Sequence, residues 1–146
     1  MSTHYAPEPC DFGWSLTVLA QRYEKLTVDI FAALPKGMRG YHVLYTVVSR
    51  EPETQQEISE YLGLDRAALV QVIHALEEQG LIYREVDPQD KRIRIIKPTP
   101  AGTELLAQIQ QQLSQAETRL FDGLSLSESH ILRLLTSDIA NAWKNR

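Results

Sequence analysis

Residues 54–97 read TQQEISEYLGLDRAALVQVIHALEEQGLIYREVDPQDKRIRIIK, and this stretch decides the fold. Thr54-Gln55-Gln56-Glu57 is a capping-box pattern: the threonine hydroxyl can satisfy an orphan N–H at a helix start and Glu57 can reach back. Ile58, Tyr61 and Leu62 then recur at helical spacing and are expected to face inward. Gly63 supplies a turn, and Asp65 caps a second helix whose Leu69, Val72, Ile73 and Leu76 share one face. Gly80 stops that helix. Leu81–Val86 and Arg92–Lys97 follow as two strand-like runs around a polar tip, Asp87-Pro88-Gln89-Asp90-Lys91-Arg92-Ile93-Arg94, with apolar residues expected to alternate onto one face. Helix, tight turn, helix and hairpin make a winged helix-turn-helix. Such a unit can lay one helix in a DNA major groove and set a cationic hairpin beside it.

Working outward, residues 13–34 carry Leu16, Leu19, Tyr23, Leu26, Ile30 and Leu34 at spacings of three and four, which predicts a long helix broken at Leu34-Pro35-Lys36-Gly37. A helix over about 39–50 is expected to turn Tyr41, Leu44, Tyr45 and Val48 to one side. On the other flank, Thr99-Pro100 is a cap with proline at the first helical position. It opens a helix to about residue 122 carrying Leu105, Ile109, Leu113, Ala116, Leu120 and Leu124. Ser125-Leu126-Ser127-Glu128 caps a last helix with Ile131, Leu135, Ile139 and Trp143 on a stripe.

The expected fold is therefore mainly α with a small β-hairpin wing (α+β): a winged helix-turn-helix with N- and C-terminal dimerisation helices. Residues 1–12 form an N-terminal arm, 13–36 and 100–146 a helical dimerisation region, and 37–99 the winged helix-turn-helix, all in one structural domain. The flanking helices are longer and more apolar than a reading module of this size requires. Leaving Leu16, Leu120, Ile131, Leu135 and Trp143 in water costs roughly 1.5–3 kcal/mol each. A second copy of the chain is the expected cover, in a two-fold dimer with its recognition helices about 34 Å apart.

Bulk charge alone does not suggest DNA. The 146 residues hold 19 acidic and 15 basic side chains, a net charge of −4. Docking depends instead on where the basic groups lie. The wing from Tyr83 to Lys97 concentrates Arg84, Lys91, Arg92, Arg94 and Lys97 against Glu85, Asp87 and Asp90. The candidate DNA-binding residues are Thr54, Gln55, Arg66, Ala67, Ala68, Gln71 and His74 on the helix pair, with Asp90, Lys91, Arg92 and Arg94 on the wing. Arg66 suits guanine or phosphate, Gln71 suits adenine, and Ala67 or Ala68 a thymine methyl. Asp90 is expected to hold a neighbouring guanidinium in a fixed fork. The recognition helix is poor in lysine and arginine, so binding should lean on the wing. A surface hairpin with ordinary solvated charges, or a winged helix that binds protein, remains the alternative.

Several motifs together resemble the MarR family of bacterial transcriptional regulators. They are Glu57-Ile58-Ser59-Glu60-Tyr61-Leu62-Gly63-Leu64-Asp65, Leu76-Glu77-Glu78-Gln79-Gly80-Leu81-Ile82, Asp87-Pro88-Gln89-Asp90-Lys91-Arg92 and Thr99-Pro100-Ala101-Gly102. Element order and length match over nearly the whole chain. The resemblance implies a homodimer that binds a pseudo-palindromic double-stranded DNA operator, usually represses, and lets go when a small, often phenolic, effector binds. The family's wing pattern, an Asp followed two residues later by Arg, falls on Asp90 and Arg92. Many relatives have Ser or Thr where this chain has Arg66-Ala67-Ala68, so the operator sequence does not carry over.

Ligand sites in that architecture lie between the dimer arms and the reading module, where Trp14, Tyr23, Met38, Tyr41, His42 and Tyr45 are the candidates. Aromatic walls with a few polar tips suit an amphipathic aromatic ligand, although the same residues also read as core aromatics at helical spacing. Cys10 is a redox candidate, because a peroxide-sensing branch of the family uses a single N-terminal cysteine. The adjacent Asp11 would raise its thiol pKa and lower its reactivity. As the only cysteine it allows no intramolecular disulfide.

No metal site is expected. His4, His42, His74 and His130 lack ligand spacing, and zinc-responsive relatives carry histidines on the fifth helix, where residues 100–124 have none. No cofactor is expected either. Without a glycine-rich phosphate loop, a His/Cys cluster or a nucleophile elbow, the chain does not read as an enzyme. No apolar run approaches membrane-spanning length and the N-terminus lacks a secretory pattern, so the expected location is the cytoplasm, with no membrane partner.

Overall fold

The computed structural model describes residues 11–51 and 53–145. The arm expected over residues 1–12 falls largely outside them, and Cys10 with it. Among the described residues, six helices and three short strands run in the order α1 (Phe12–Phe31), α2 (Met38–Ser49), β1 (Glu53–Thr54), α3 (Gln55–Leu62), α4 (Arg66–Glu78), β2 (Ile82–Val86), β3 (Arg94–Pro98), α5 (Pro100–Leu120) and α6 (Leu126–Lys144). The fold is the expected one, mainly helical with a β wing.

Helix starts follow the local chemistry. Thr54 and Ser125 each cap with a reciprocal glutamate, and Asp65 and Thr99 cap through single side-chain bonds. α1 ends three residues earlier than expected, because Leu34 is buried within the turn rather than on the helix. The inward face of α2 is also rotated from the expected one. Val43, Leu44 and Val47 are buried while Tyr45 is exposed. Buried Thr27 and Thr46 satisfy their hydroxyls by donating to the carbonyls of Tyr23 and His42, at 2.7 and 2.8 Å.

The sheet has the order β1-β3-β2, with both pairings antiparallel. β1 was not legible in the sequence. Two residues long, it pairs Glu53 with Ile96 and Thr54 with Ile95. The hairpin strand expected from Arg92 begins only at Arg94. Nor does the expected alternation hold on β2, where Ile82 is buried and every later residue is exposed. Only the base of the wing packs on the core, and its outer half stands in solvent.

The core is continuous from α1 to α5. It joins Phe31 and Leu34, Val43, Leu44 and Val47, Ile58, the predicted face Leu69, Val72, Ile73 and Leu76, then Leu81, Ile82 and Ile96, and finally Leu106, Ile109 and Leu113. The Thr99-Pro100-Ala101-Gly102 motif is the joint between wing and arm. Thr99 donates its hydroxyl to the Gly80 carbonyl at 2.6 Å, its N–H bonds the Leu81 carbonyl at 3.0 Å, and its Oγ1 accepts from the Gly102 N–H at 3.0 Å. Gly102 sits so close to Leu81 that a Cβ there would collide with the Leu81 carbonyl. α1 packs along α5, whereas α6 buries none of its residues. No helix among the described residues is long and apolar enough to cross a membrane.

Candidate nucleic-acid interface

The reading pair is set by three local devices. Thr54 Oγ1 accepts from the Glu57 N–H at 3.2 Å while Glu57 Oε2 accepts from the Thr54 N–H at 2.8 Å, so α3 starts at the edge of the sheet. Gly63 takes the left-handed φ of 64° that ends α3, and Ser59 donates its hydroxyl across the turn to the Leu64 carbonyl at 2.7 Å. Asp65 Oδ1 then accepts from the Ala68 N–H at 2.8 Å and starts α4.

These caps place Arg66, Ala67, Gln71 and His74 on the exposed side of α4. Ala68 is half-buried, so it belongs to the shoulder of that face rather than its crest. Thr54 is also half-buried, and its hydroxyl is committed as a cap. Gln55 lines a shallow groove of about 320 Å³ with Gln56, Ser59, Arg66 and Leu69, between α3 and the start of α4. His74 Nε2 lies 3.3 Å from Glu78 Oε1, one turn further along the helix. Val70 is an exposed apolar residue on the same helix. It is a thymine-methyl candidate by the reasoning applied to Ala67 and Ala68.

The wing is sorted by its ion pairs. Arg84 Nε lies 3.2 Å from Glu77 and Lys97 Nζ 2.6 Å from Glu85, so two of the five basic residues counted from sequence are neutralised at its base. Lys91, Arg92 and Arg94 remain at the tip. Asp90 Oδ1 accepts from Arg92 Nε at 3.1 Å and from the Arg92 N–H at 3.0 Å, and its Oδ2 accepts from a terminal guanidinium nitrogen at 3.2 Å. These bonds hold the Asp90 carboxyl below the usual carboxylate range. The Arg92 side chain is nonetheless 90% exposed: it is oriented by Asp90 and still presented to solvent. Arg94 turns back to donate to the Lys91 carbonyl at 2.8 Å, buttressing the tip.

The ligand candidates divide. Tyr41 is the hub, with its ring centroid 5.2 Å from Phe31, 5.7 Å from His42 and 6.1 Å from Tyr45. Loss of hydration raises the pKa of the Tyr41 phenol, and Gln110 of α5 acts in the opposite direction. Tyr23 is raised by burial and by the nearby Glu117 carboxylate. Glu117 in turn binds Arg133 of α6 at 2.6 Å. His42 is pushed below its ordinary value by loss of hydration and by the Lys144 ammonium.

Trp14 is exposed on the first turn of α1, and Met38 lines a groove of about 280 Å³ with Thr27, Val28 and Phe31, the last of which also meets Tyr41. Sequence reasoning missed Phe31, Gln110, Glu117, Arg133 and Lys144. Gln110 and Glu117 stand seven residues apart and so share a face of α5, but nothing local names what that face meets. No group of three His, Cys, Asp or Glu side chains among the described residues is placed to hold a metal ion.

Fold and site together define a winged helix-turn-helix protein. The model of the MarR family matches residues 38–93, from the start of α2 to the tip of the wing. A putative transcriptional regulatory protein for the hcr operon of Thauera aromatica is 31% identical over 88 residues. Those residues are 60% of this chain and 53% of that relative, so the match spans about half the relative's length. Among solved structures, a probable transcriptional regulator from Pseudomonas aeruginosa is 26% identical with a TM-score of 0.73, covering 88% of this chain and 96% of that one. A mutant MarR from E. coli complexed with operator DNA superposes with a TM-score of 0.71 at 23% identity, covering 87% and 91%.

Proposed function

We propose that this chain is a DNA-binding transcriptional regulator that binds a pseudo-palindromic operator as a homodimer, represses there, and is released by a small aromatic ligand. The observation that carries the reading is the wing tip: Arg92, clamped by Asp90 yet exposed, stands on a hairpin beside an exposed helix face of Arg66, Ala67, Gln71 and His74. A solvated surface hairpin has no need of a three-bond fork to hold one arginine outward. Dimerisation is supported by the apolar stripe of α6, where Ile131, Leu135 and Ile139 are each more than half exposed, and by Phe12, Trp14 and Leu16 on α1. The Tyr23, Tyr41, His42 and Tyr45 cluster between arm and reader is the place for the ligand, and its rings suit an aromatic one.

Binding of the full chain to DNA recovered by selection from genomic fragments, followed by anisotropy across a salt series, tests the core of this reading. Affinity should fall steeply with salt. Arg92→Ala should weaken binding about tenfold and flatten the salt slope by about one unit. Salt-independent binding, or an Arg92→Ala variant with wild-type affinity and slope, overturns the assignment.

A further inference from the structure

α6 buries none of its own residues, yet its C-terminal turn reaches α3. The Lys144 ammonium donates to the main-chain carbonyl of Tyr61 and lies 4.2 Å from the centroid of the Tyr61 ring. The guanidinium of Arg50, at the C-cap of α2, lies 4.1 Å from the same centroid. Three elements thus converge on one tyrosine.

The chemistry suits the position. Tyr61 is in the last turn of α3, where main-chain carbonyls lack intrahelical partners and the helix end carries partial negative charge. An ammonium there caps the helix while its charge rests on the electron-rich ring face. What is held at Tyr61 is also held at α4. Only Gly63, Leu64 and Asp65 separate the two helices, and the Ser59 hydroxyl ties that turn to the Leu64 carbonyl. α6 also meets the arm through Arg133, which pairs with Glu117 and lies 5.0 Å from the centroid of Phe121. That anchor belongs to the arm, whereas Lys144 belongs to the reader.

We propose that the C-terminal turn of α6 is a latch, in which Lys144 grips Tyr61 together with Arg50 and fixes the orientation of the α3–α4 pair relative to the helical arm. The consequence for DNA rests on the function proposed above, but the latch itself is measurable without DNA. In a two-fold dimer the arm sets the spacing of the readers, so a reader free to swing on its arm docks both half-sites less often.

The test uses the full chain, with hydrogen exchange on the free protein and operator titrations beside it. Lys144→Ala should speed amide exchange across residues 59–64 at least threefold, with helix content and mass in solution unchanged. Lys144→Arg should restore the wild-type rates, and Tyr61→Leu should reproduce the loss. Operator affinity of Lys144→Ala should fall about three- to tenfold with the salt slope unaltered. Unchanged exchange in Lys144→Ala overturns the latch. A salt slope lowered by about one unit also overturns it, because Lys144 would then be a phosphate contact. If the wild-type chain binds no genomic DNA, the proposed function fails, while the exchange measurement still decides the latch.

Discussion

At the scale of single residues, charge placement matters more than charge count. Arg84 and Lys97 are as basic as Arg92, yet each is spent on a neighbouring glutamate, and Asp90, a negative charge, is what makes Arg92 useful. The pairing of Asp90 with Arg92 was legible, since two residues across a tight tip can meet and a carboxylate fits a guanidinium. Neutralisation of Arg84 by Glu77 was not, because Glu77 lies on α4 and meets Arg84 only once the wing has folded back. His42 belongs to the same scale. Its pKa is depressed in the folded chain, so the unfolded chain takes up the proton first as pH falls. Its contribution to stability is whole above the ordinary value of 6.5 and is lost as pH drops through the depressed folded value. Thermal unfolding scanned from pH 7.5 to 5 should show a falling midpoint, and His42→Gln should flatten that part of the profile. A His42→Gln profile parallel to wild type would show that His42 is not the group responsible.

Among elements, the helices declared themselves and the sheet did not. Four of the six helix starts carry caps of Thr, Asp or Ser at the positions read from sequence, because capping is chemistry within three residues. The inward face of α4 was read without error, since the residues that recur at helical spacing are those a buried helix must hide. β1 escaped because two residues have no periodicity, and its partner Ile95–Ile96 lies some forty positions away. The outer wing escaped for a related reason. Alternation reports burial on one face of a sheet, and that half of β2 has neither face covered. The joint at Gly102 makes a sharp prediction at this scale. Gly102→Ala adds a methyl against the Leu81 carbonyl where α5 leaves the wing. It should destabilise by about 1–3 kcal/mol in urea unfolding, against the small gain an alanine normally brings to a helix. A variant as stable as the parent would mean the joint can open by the width of a methyl.

For the whole molecule, the question is what covers the arm. α6 follows the sequence pattern of a buried helix, with Ile131, Leu135 and Ile139 on one stripe, and those residues are exposed in the single chain. The apolar surface left in water is the physical argument for a second copy, and at roughly 25 cal/mol per Å² even a few such side chains weigh several kcal/mol. Light scattering after size exclusion should give twice the mass of the chain at micromolar concentration. Leu135→Glu, placing a charge in the middle of the stripe, should shift the protein to monomer with its helix content retained. A wild-type monomer ends the dimer argument. A dimeric Leu135→Glu moves the interface off α6.

Some of this protein was determined by sequence alone: helix order and caps, the α4 core face, the Asp90–Arg92 fork and the resemblance to a regulator family. All of these depend on residues within a turn or two of one another, where stereochemistry and periodicity act directly. Tertiary structure decided the rest. It paired Arg84 and Lys97 with glutamates at the base of the wing, added the third strand, rotated the α2 face, gathered Tyr41, His42 and Tyr45 against Phe31, and brought Lys144 to Tyr61 across 83 positions. Those outcomes follow from packing between elements. Packing is settled by the volume and hydrogen bonding of the folded interior, which no local pattern encodes.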